Sequence, residues 1–159
     1  MRVFVAGATG ALGRPTVRFL AAAGHEVRAL ARDADRAARV RELGADPVVA
    51  DLFDAAAMRQ AVGGSDAVLH LATRIPPIPR MSRRSAWRDN DRVRSQGAAV
   101  LVNAALAAGA RVYVQESIAF LYADQGDRWI DETAPIDAVW PLTSARDADE
   151  RGITARLAA

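Results

Sequence analysis

Short apolar runs alternate with amphipathic stretches along most of this chain. Arg2–Ala6 is apolar at four consecutive positions, as a strand buried on both faces requires. Ala11–Ala23 places Val17, Leu20 and Ala21 on one face of a helix, and Gly24 ends it. Pro15 fits only in that helix's first turn, where a missing N–H costs least. The same alternation predicts a strand at His25–Ala31, a charged helix at Ala34–Leu43, and a strand at Pro47–Ala50. It continues with a helix at Asp54–Val62, a strand at Asp66–Ala72, a long helix at Ala86–Ala108 and a strand at Arg111–Gln115. Helices between strands imply parallel crossovers, hence an α/β doubly wound parallel sheet. The expected strand order is 3-2-1-4-5, which opens a crevice where strands 1 and 4 part company.

Composition adjusts this picture only slightly. The 159 residues, 51% apolar and 25% charged, suit one soluble globular domain over 1–159. The absence of cysteine excludes disulfides, thiolate catalysis and cysteine-ligated metals. His25 and His70 have no carboxylate spacing that suggests a metal site, so none is expected. The formal net charge of +2 gives no concentrated basic face for a nucleic acid. No apolar run reaches the roughly 18 residues that span a bilayer. The first residues open directly on a strand rather than on a signal peptide, and a cytoplasmic location is the expectation. All 21 basic residues are arginine, and the chain contains no lysine. The alanine-rich stretch Gly97–Ala108 suits either an ordinary packed helix or a close helix–helix contact in a homo-oligomer.

The chemistry is concentrated at Gly7-Ala-Thr9-Gly10-Ala11-Leu12-Gly13-Arg14, between the first strand and the first helix. A turn this sharp, with a pyrophosphate lying against its backbone, needs residues without a Cβ. The helix behind it offers unpaired N–H groups and the positive end of its dipole. In a strand–turn–helix context such glycines predict dinucleotide binding. The second strand ends Leu30-Ala31-Arg32, with no acidic residue to accept from a ribose 2′-hydroxyl. Arg32, with Arg14 on the other side, is instead suited to a 2′-phosphate, so NADP(H) is expected over NAD(H). Thr73–Ser85 carries three prolines and four arginines, Arg74, Arg80, Arg83 and Arg84. It reads either as a solvated loop or as a lid over an anionic substrate.

The Gly7/Gly10/Gly13 spacing resembles that of the extended and atypical short-chain dehydrogenase/reductase superfamily, whose Rossmann-like fold matches the five strands above. The resemblance extends along nearly the whole chain. It implies that Asp51-Leu52 meets the adenine and that Leu71-Ala72-Thr73, after His70, runs beneath the nicotinamide ribose. His70 itself is expected to be a packed strand residue. Gln115–Tyr122 resembles the strand end that carries the family's catalytic serine. An ungapped count back from Tyr122 places Ile118 in that slot, and one extra residue places Ser117 there; Ser117 is preferred. Trp129–Pro135 resembles the stretch that precedes the family's catalytic tyrosine.

Leu142 and Arg146 then take the spacing of the family's Tyr-x-x-x-Lys pair. Arg146 retains the capacity to contact a ribose hydroxyl, whereas Leu142 has no proton to give. Tyr122 is the remaining tyrosine expected near the crevice, since Tyr113 falls inside the fifth strand. Family enzymes also run considerably longer, with a substrate lobe that has no counterpart here, so the chain is either a fragment or a reduced protein. The expectation is an NADP-binding domain of an oxidoreductase, epimerase or dehydratase relative with an unnamed small-molecule substrate and weak or no turnover. A non-catalytic redox sensor and an inactive reductase fragment are the alternatives.

Overall fold

The computed structural model describes residues 1–131, 133–137 and 143–146. Five parallel strands form one sheet, β1 (Arg2–Ala6), β2 (Glu26–Ala31), β3 (Asp46–Val49), β4 (Ala67–His70) and β5 (Val112–Gln115). Their order is β3-β2-β1-β4-β5, as the crossover pattern requires. In register, β1 runs beside β2 from Arg2 opposite Glu26 and beside β4 from Val3 opposite Ala67. Because β1 lies in the middle of the sheet, Val3 through Ala6 are all buried.

Helices α1 (Gly13–Ala22) and α2 (Ala34–Glu42) belong to one core layer, where Val17, Val40 and Leu43 meet Val3, Val5 and Val27. Helices α3 (Ala55–Val62), α4 (Arg88–Arg92) and α5 (Ala98–Ala107) belong to the other. There Met58, Val62 and Leu101 meet Phe4 and Val68. Alanine-rich α5 buries Ala98, Leu101, Ala104 and Ala105 and packs within the chain against α3. Two helix starts are fixed by their own carboxylates. Asp33 accepts from the Arg36 amide at 2.8 Å, and Asp54 accepts from the Ala56 and Ala57 amides at 3.0 Å.

The long helix expected over Ala86–Ala108 is present with helical backbone from Arg88 to Ala107, but its hydrogen bonding changes along the way. A π-turn, Val93–Gly97, separates α4 from α5, and a 3₁₀ turn, Arg84–Trp87, precedes α4. A π-turn inserts an extra residue and so rotates the faces on its two sides relative to one another. Here it accompanies the burial of Val93, Arg94 and Gly97. Apolar periodicity could not reveal it, because α4 (Arg88–Arg92) carries no apolar residue and α5 is apolar almost throughout, so neither segment fixes a phase. The segment Thr73–Ser85 is exposed along most of its length and anchored by two contacts. The Trp87 indole donates to the Met81 carbonyl at 2.8 Å, and the Arg74 amide donates to the buried Asn90 side chain at 3.0 Å.

His70 ends β4 fully buried, its Nδ1 accepting from the Ala72 amide at 3.4 Å. Burial drives its pKa down to about 4, with the Val93 backbone opposing and the Arg94 charge reinforcing the drop. The unfolded chain therefore binds the proton first, and stability present above pH 6.5 is lost as pH falls toward 4. Between pH 7 and pH 4.5 this one group should remove about 2.5 kcal/mol. In urea denaturation at both pH values, His70→Asn should shrink the wild-type difference by about that amount. Parallel pH dependences would contradict it.

Candidate dinucleotide site

At the carboxyl edge of the sheet, β1 and β4 send their following segments to opposite faces and leave a crevice of about 650 Å³. That size suits a cofactor, since ligand sites run to roughly 300–1,000 Å³. Its floor is the glycine turn. Gly7 has φ +91° and approaches β4 so closely that a Cβ would lie 2.5 Å from the Leu71 and Ala72 backbone. Gly13 starts α1, where a Cβ would lie 2.0 Å from the Gly7 carbonyl oxygen. Gly10 differs from both. Its amide donates to the Gly7 carbonyl at 3.0 Å, and a Cβ there would have that oxygen, at 3.2 Å, as its sole neighbour. Gly7 and Gly13 are thus spaces the fold fills, whereas Gly10 faces the crevice.

Above the turn, α1 has Leu12 at its N-cap and no side chain capping it. The Arg14 and Thr16 amides of its first turn donate to the Gly10 and Leu12 carbonyls at 3.1 and 3.3 Å and Pro15 has no N–H, so an anion at this helix N-terminus would meet the amides ahead of Arg14. Thr9, Gly10, Ala11 and Leu12 all line the crevice, and Leu12 stays 55% exposed at its mouth. This arrangement fits a pyrophosphate.

At the β2 end, Leu30, Arg32, Asp51, Leu52 and Phe53 line the wall. The Asp51 carboxylate accepts from the Phe53 amide at 3.0 Å, which fixes the turn between β3 and α3. Arg92 stacks its guanidinium 3.8 Å from the centre of the Phe53 ring, a cation–π contact that holds this apolar wall upright. Arg32 shares its end of the crevice with Arg36 and Arg74. Partial burial, then the charges of Arg36 and Arg74, lower the Arg32 pKa from its ordinary value, and Asp33 opposes them. Asp33 pairs with Arg36 as the α2 cap and is absent from the crevice lining. Three cations gathered in one place favour an anion between them.

On the β4 side, Leu71, Ala72 and Thr73 line the crevice together with Ile75, Val93 and Glu116. Glu116 follows β5, and its amide donates to the His70 carbonyl at 2.9 Å. Its carboxylate receives Nη2 of Arg94 at 2.6 and 2.9 Å, and both side chains are largely buried.

The structure therefore brings together Gly7, Thr9, Gly10, Ala11, Leu12, Arg32, Asp51, Leu52, Leu71, Ala72 and Thr73. Gly13 sits just behind them. Arg14 does not join: it is exposed on α1, and Arg36, one turn into α2, stands in the crevice with Arg32 instead. Ser117 and Tyr122 are also outside the lining. After Glu116 the chain swings away into a 3₁₀ turn, Ala119–Leu121, and Tyr122 bridges to Ile136. Tyr113 is in β5 as expected, its hydroxyl donating to Gln115 at 3.0 Å and its pKa pushed up by burial. Arg146 belongs to a helical stretch, 143–146, whose Ser144 hydroxyl donates to Asp91 at 2.7 Å, and it is not in the lining either. Leu142 lies outside the described residues. Of the four arginines in Thr73–Ser85, only Arg74 reaches the lining.

Arg36, Phe53, Arg92 and Glu116 were not anticipated. Arg36 had a signal, since it lies four residues beyond Arg32 at the start of a helix. The other three depend on turns and packing that periodicity does not encode. Among the described residues, no cluster of three or more His, Asp or Glu side chains could hold a metal, and no helix is long and apolar enough to cross a membrane.

A family model described as NAD(P)H-binding matches residues 7–155. A 3-diazoavenalumate denitrifying reductase from a Streptomyces species is 45% identical over 150 residues, covering 90% of this chain and 48% of the reductase. A short-chain dehydrogenase/reductase superfamily protein from Agrobacterium tumefaciens, solved with bound NAD, is 28% identical with a TM-score of 0.75. That match covers 95% of this chain and 44% of the other. The Bordetella bronchiseptica enzyme WbmG in complex with NAD and UDP shares the fold at a TM-score of 0.80 and 19% identity, over 99% of this chain and 50% of the other. The chain thus spans about half the length of these relatives. With its glycine turn, strand order and crevice all accounted for, this chain belongs to the NAD(P)H-binding family of extended short-chain dehydrogenase/reductase type.

Proposed function

We propose that this chain is the NADP(H)-binding half of a reductase of the extended short-chain dehydrogenase/reductase type. The observation that carries the choice of cofactor is Arg32 at the end of β2, facing the crevice beside Arg36 and Arg74. In this reading the three arginines hold the ribose 2′-phosphate, and the Thr9–Leu12 turn with the α1 N-terminus holds the pyrophosphate. Asp51 and Leu52, with Phe53, receive the adenine, and Leu71–Thr73 lie along the nicotinamide ribose. The bound cofactor supplies the hydride, and the protein's part is to bind and orient it. The similarity to a reductase over 90% of the chain supports reduction as the reaction class.

A second reading, a non-catalytic NADP(H) sensor, is favoured by one specific arrangement. Neither Tyr113 nor Tyr122 lines the crevice, and the chain holds no lysine to lower a tyrosine pKa. General acid–base help is worth roughly 10²–10⁴-fold. The 159-residue chain should therefore bind NADPH yet oxidise it slowly against aldehydes and ketones, as followed by absorbance. Robust turnover that Tyr122→Phe abolishes would show that Tyr122 reaches the reacting atoms after all.

Cofactor preference is tested by calorimetric titration with NADPH and NADH. NADPH should bind more tightly. Arg32→Ala should weaken NADPH about 10- to 50-fold, the worth of charge-assisted hydrogen bonds to a phosphate, and leave NADH nearly unchanged. Equal affinities in the wild type, or equal losses in the variant, would refute the 2′-phosphate assignment.

The glycines should separate by role. Gly10→Val should abolish measurable NADPH binding at a modest cost in thermal stability, because its side chain enters the crevice. Gly13→Ala should destabilise the fold by about 3 kcal/mol, because its Cβ meets fixed backbone. A Gly10→Val protein that binds like the wild type would leave the turn with no role in binding.

A further inference from the structure

The Arg94–Glu116 pair is unaccounted for by packing or by the glycine turn. Arg94 is 2% exposed and sits on the π-turn. Nη2 spans both Glu116 oxygens, while Nη1 is buried with no hydrogen-bond partner. A buried guanidinium recovers its desolvation cost only when its donors are fully used, and an apolar pair of similar volume is often at least as stable. The pair is therefore a poor device for stability. Its orientation is definite. Glu116 lines the crevice, and Arg94 stands behind it, lining a small void with Trp87, Asn90 and Ser144. The crevice consequently meets the negative end of a fixed dipole.

The sheet order determines which part of a ligand meets it. Arg32 lies beyond β2, the glycine turn follows β1, and Glu116 follows β5, on the far side of β4. A dinucleotide with its 2′-phosphate at Arg32 and its pyrophosphate at Gly10 carries its nicotinamide toward Glu116. That ring has a formal charge of +1 when oxidised and is neutral when reduced. The other charged side chains lining the crevice are nearer its Arg32 end, Asp89 at 3.6 Å from Arg74 and Arg92 over the Phe53 ring.

We propose that Glu116, held by Arg94, biases the crevice toward the oxidised, cationic nicotinamide over the reduced one. Glu116 is then a specificity-determining residue for the redox state of the cofactor, and Arg94 is the positioning residue that fixes its direction. This inference rests on the assignment of NADP(H) to the crevice.

The test is the ratio of NADP⁺ to NADPH dissociation constants, measured by titration calorimetry on the full chain. Glu116→Gln keeps the shape and one oxygen for Arg94 but removes the charge. It should shift the ratio toward NADPH by about fivefold, the scale expected of a partly compensated charge at intermediate dielectric. Adenosine 2′,5′-bisphosphate, which lacks the nicotinamide, should bind both proteins equally. Parallel changes in the NADP⁺ and NADPH affinities, or no change in either, would overturn the proposal. If Glu116→Gln fails to fold because Arg94 loses its counter-charge, the Arg94→Met/Glu116→Gln double variant takes its place. It should fold and shift the ratio in the same direction by a smaller factor, since both charges of the pair are gone, and a wild-type ratio there would equally overturn the proposal. Wild-type protein that binds neither redox form would instead remove the cofactor assignment on which the proposal stands.

Discussion

The structure depends on how closely three backbone segments meet beneath the crevice. Gly7 packs against the Leu71–Ala72 backbone, and Gly13 packs against the Gly7 carbonyl, each at a separation that leaves no room for a Cβ. These two contacts join the end of β1, the end of β4 and the start of α1 into one rigid junction. The junction aims the N-terminus of α1, and with it the positive end of the helix dipole, at the crevice floor. It also leaves Gly10 as the one glycine of the three whose missing side chain opens space for a ligand rather than for the fold. Within one seven-residue turn, Gly7 and Gly13 are thus closed in by backbone and Gly10 borders the crevice.

Charge is distributed along the crevice in a matching sequence. Arg32, Arg36 and Arg74 make one end cationic, while the opposite end shows a carboxylate backed by Arg94. Between them lie backbone amides with no side-chain cap. A dinucleotide carrying phosphate at one end and a nicotinamide at the other is complementary to this order. The same view sets apart what the crevice does and does not hold for chemistry. Groups that bind and polarise are present, whereas no tyrosine lines the crevice among the described residues. The longer relatives, of which this chain spans about half, have further chain from which such groups can come.

The sheet was legible because buried parallel strands leave continuous apolar runs and because Gly24, Gly44 and Gly109 mark where helices stop. The phosphate turn was legible for a related reason, since close approach restricts residue type and so leaves a trace in sequence. Arg32 could be read from its place at a strand end. Arg14 is exposed and absent from the crevice lining, which Arg36 joins instead, because a helix start allows a side chain several directions. The π-turn left no signal, because the charged α4 and the almost wholly apolar α5 give no periodic pattern whose phase an extra residue could shift. Arg94, Glu116 and the Phe53–Arg92 stack followed it out of sight. The displacement of Tyr122 is of the same kind, for it turns on the path of the chain after Glu116 and not on local preference.

The central claim is that the β1–β4 crevice holds NADP(H) with its 2′-phosphate beside Arg32. Backbone chemical-shift mapping of the isotopically labelled chain during titration with NADP⁺ addresses it directly. The account predicts the largest perturbations at Thr9–Leu12, Arg32, Arg36 and Leu71–Thr73, with those at Arg32 and Arg36 reduced when NAD⁺ replaces NADP⁺. Perturbations gathered on another face, or an identical pattern at Arg32 and Arg36 with both cofactors, would contradict it.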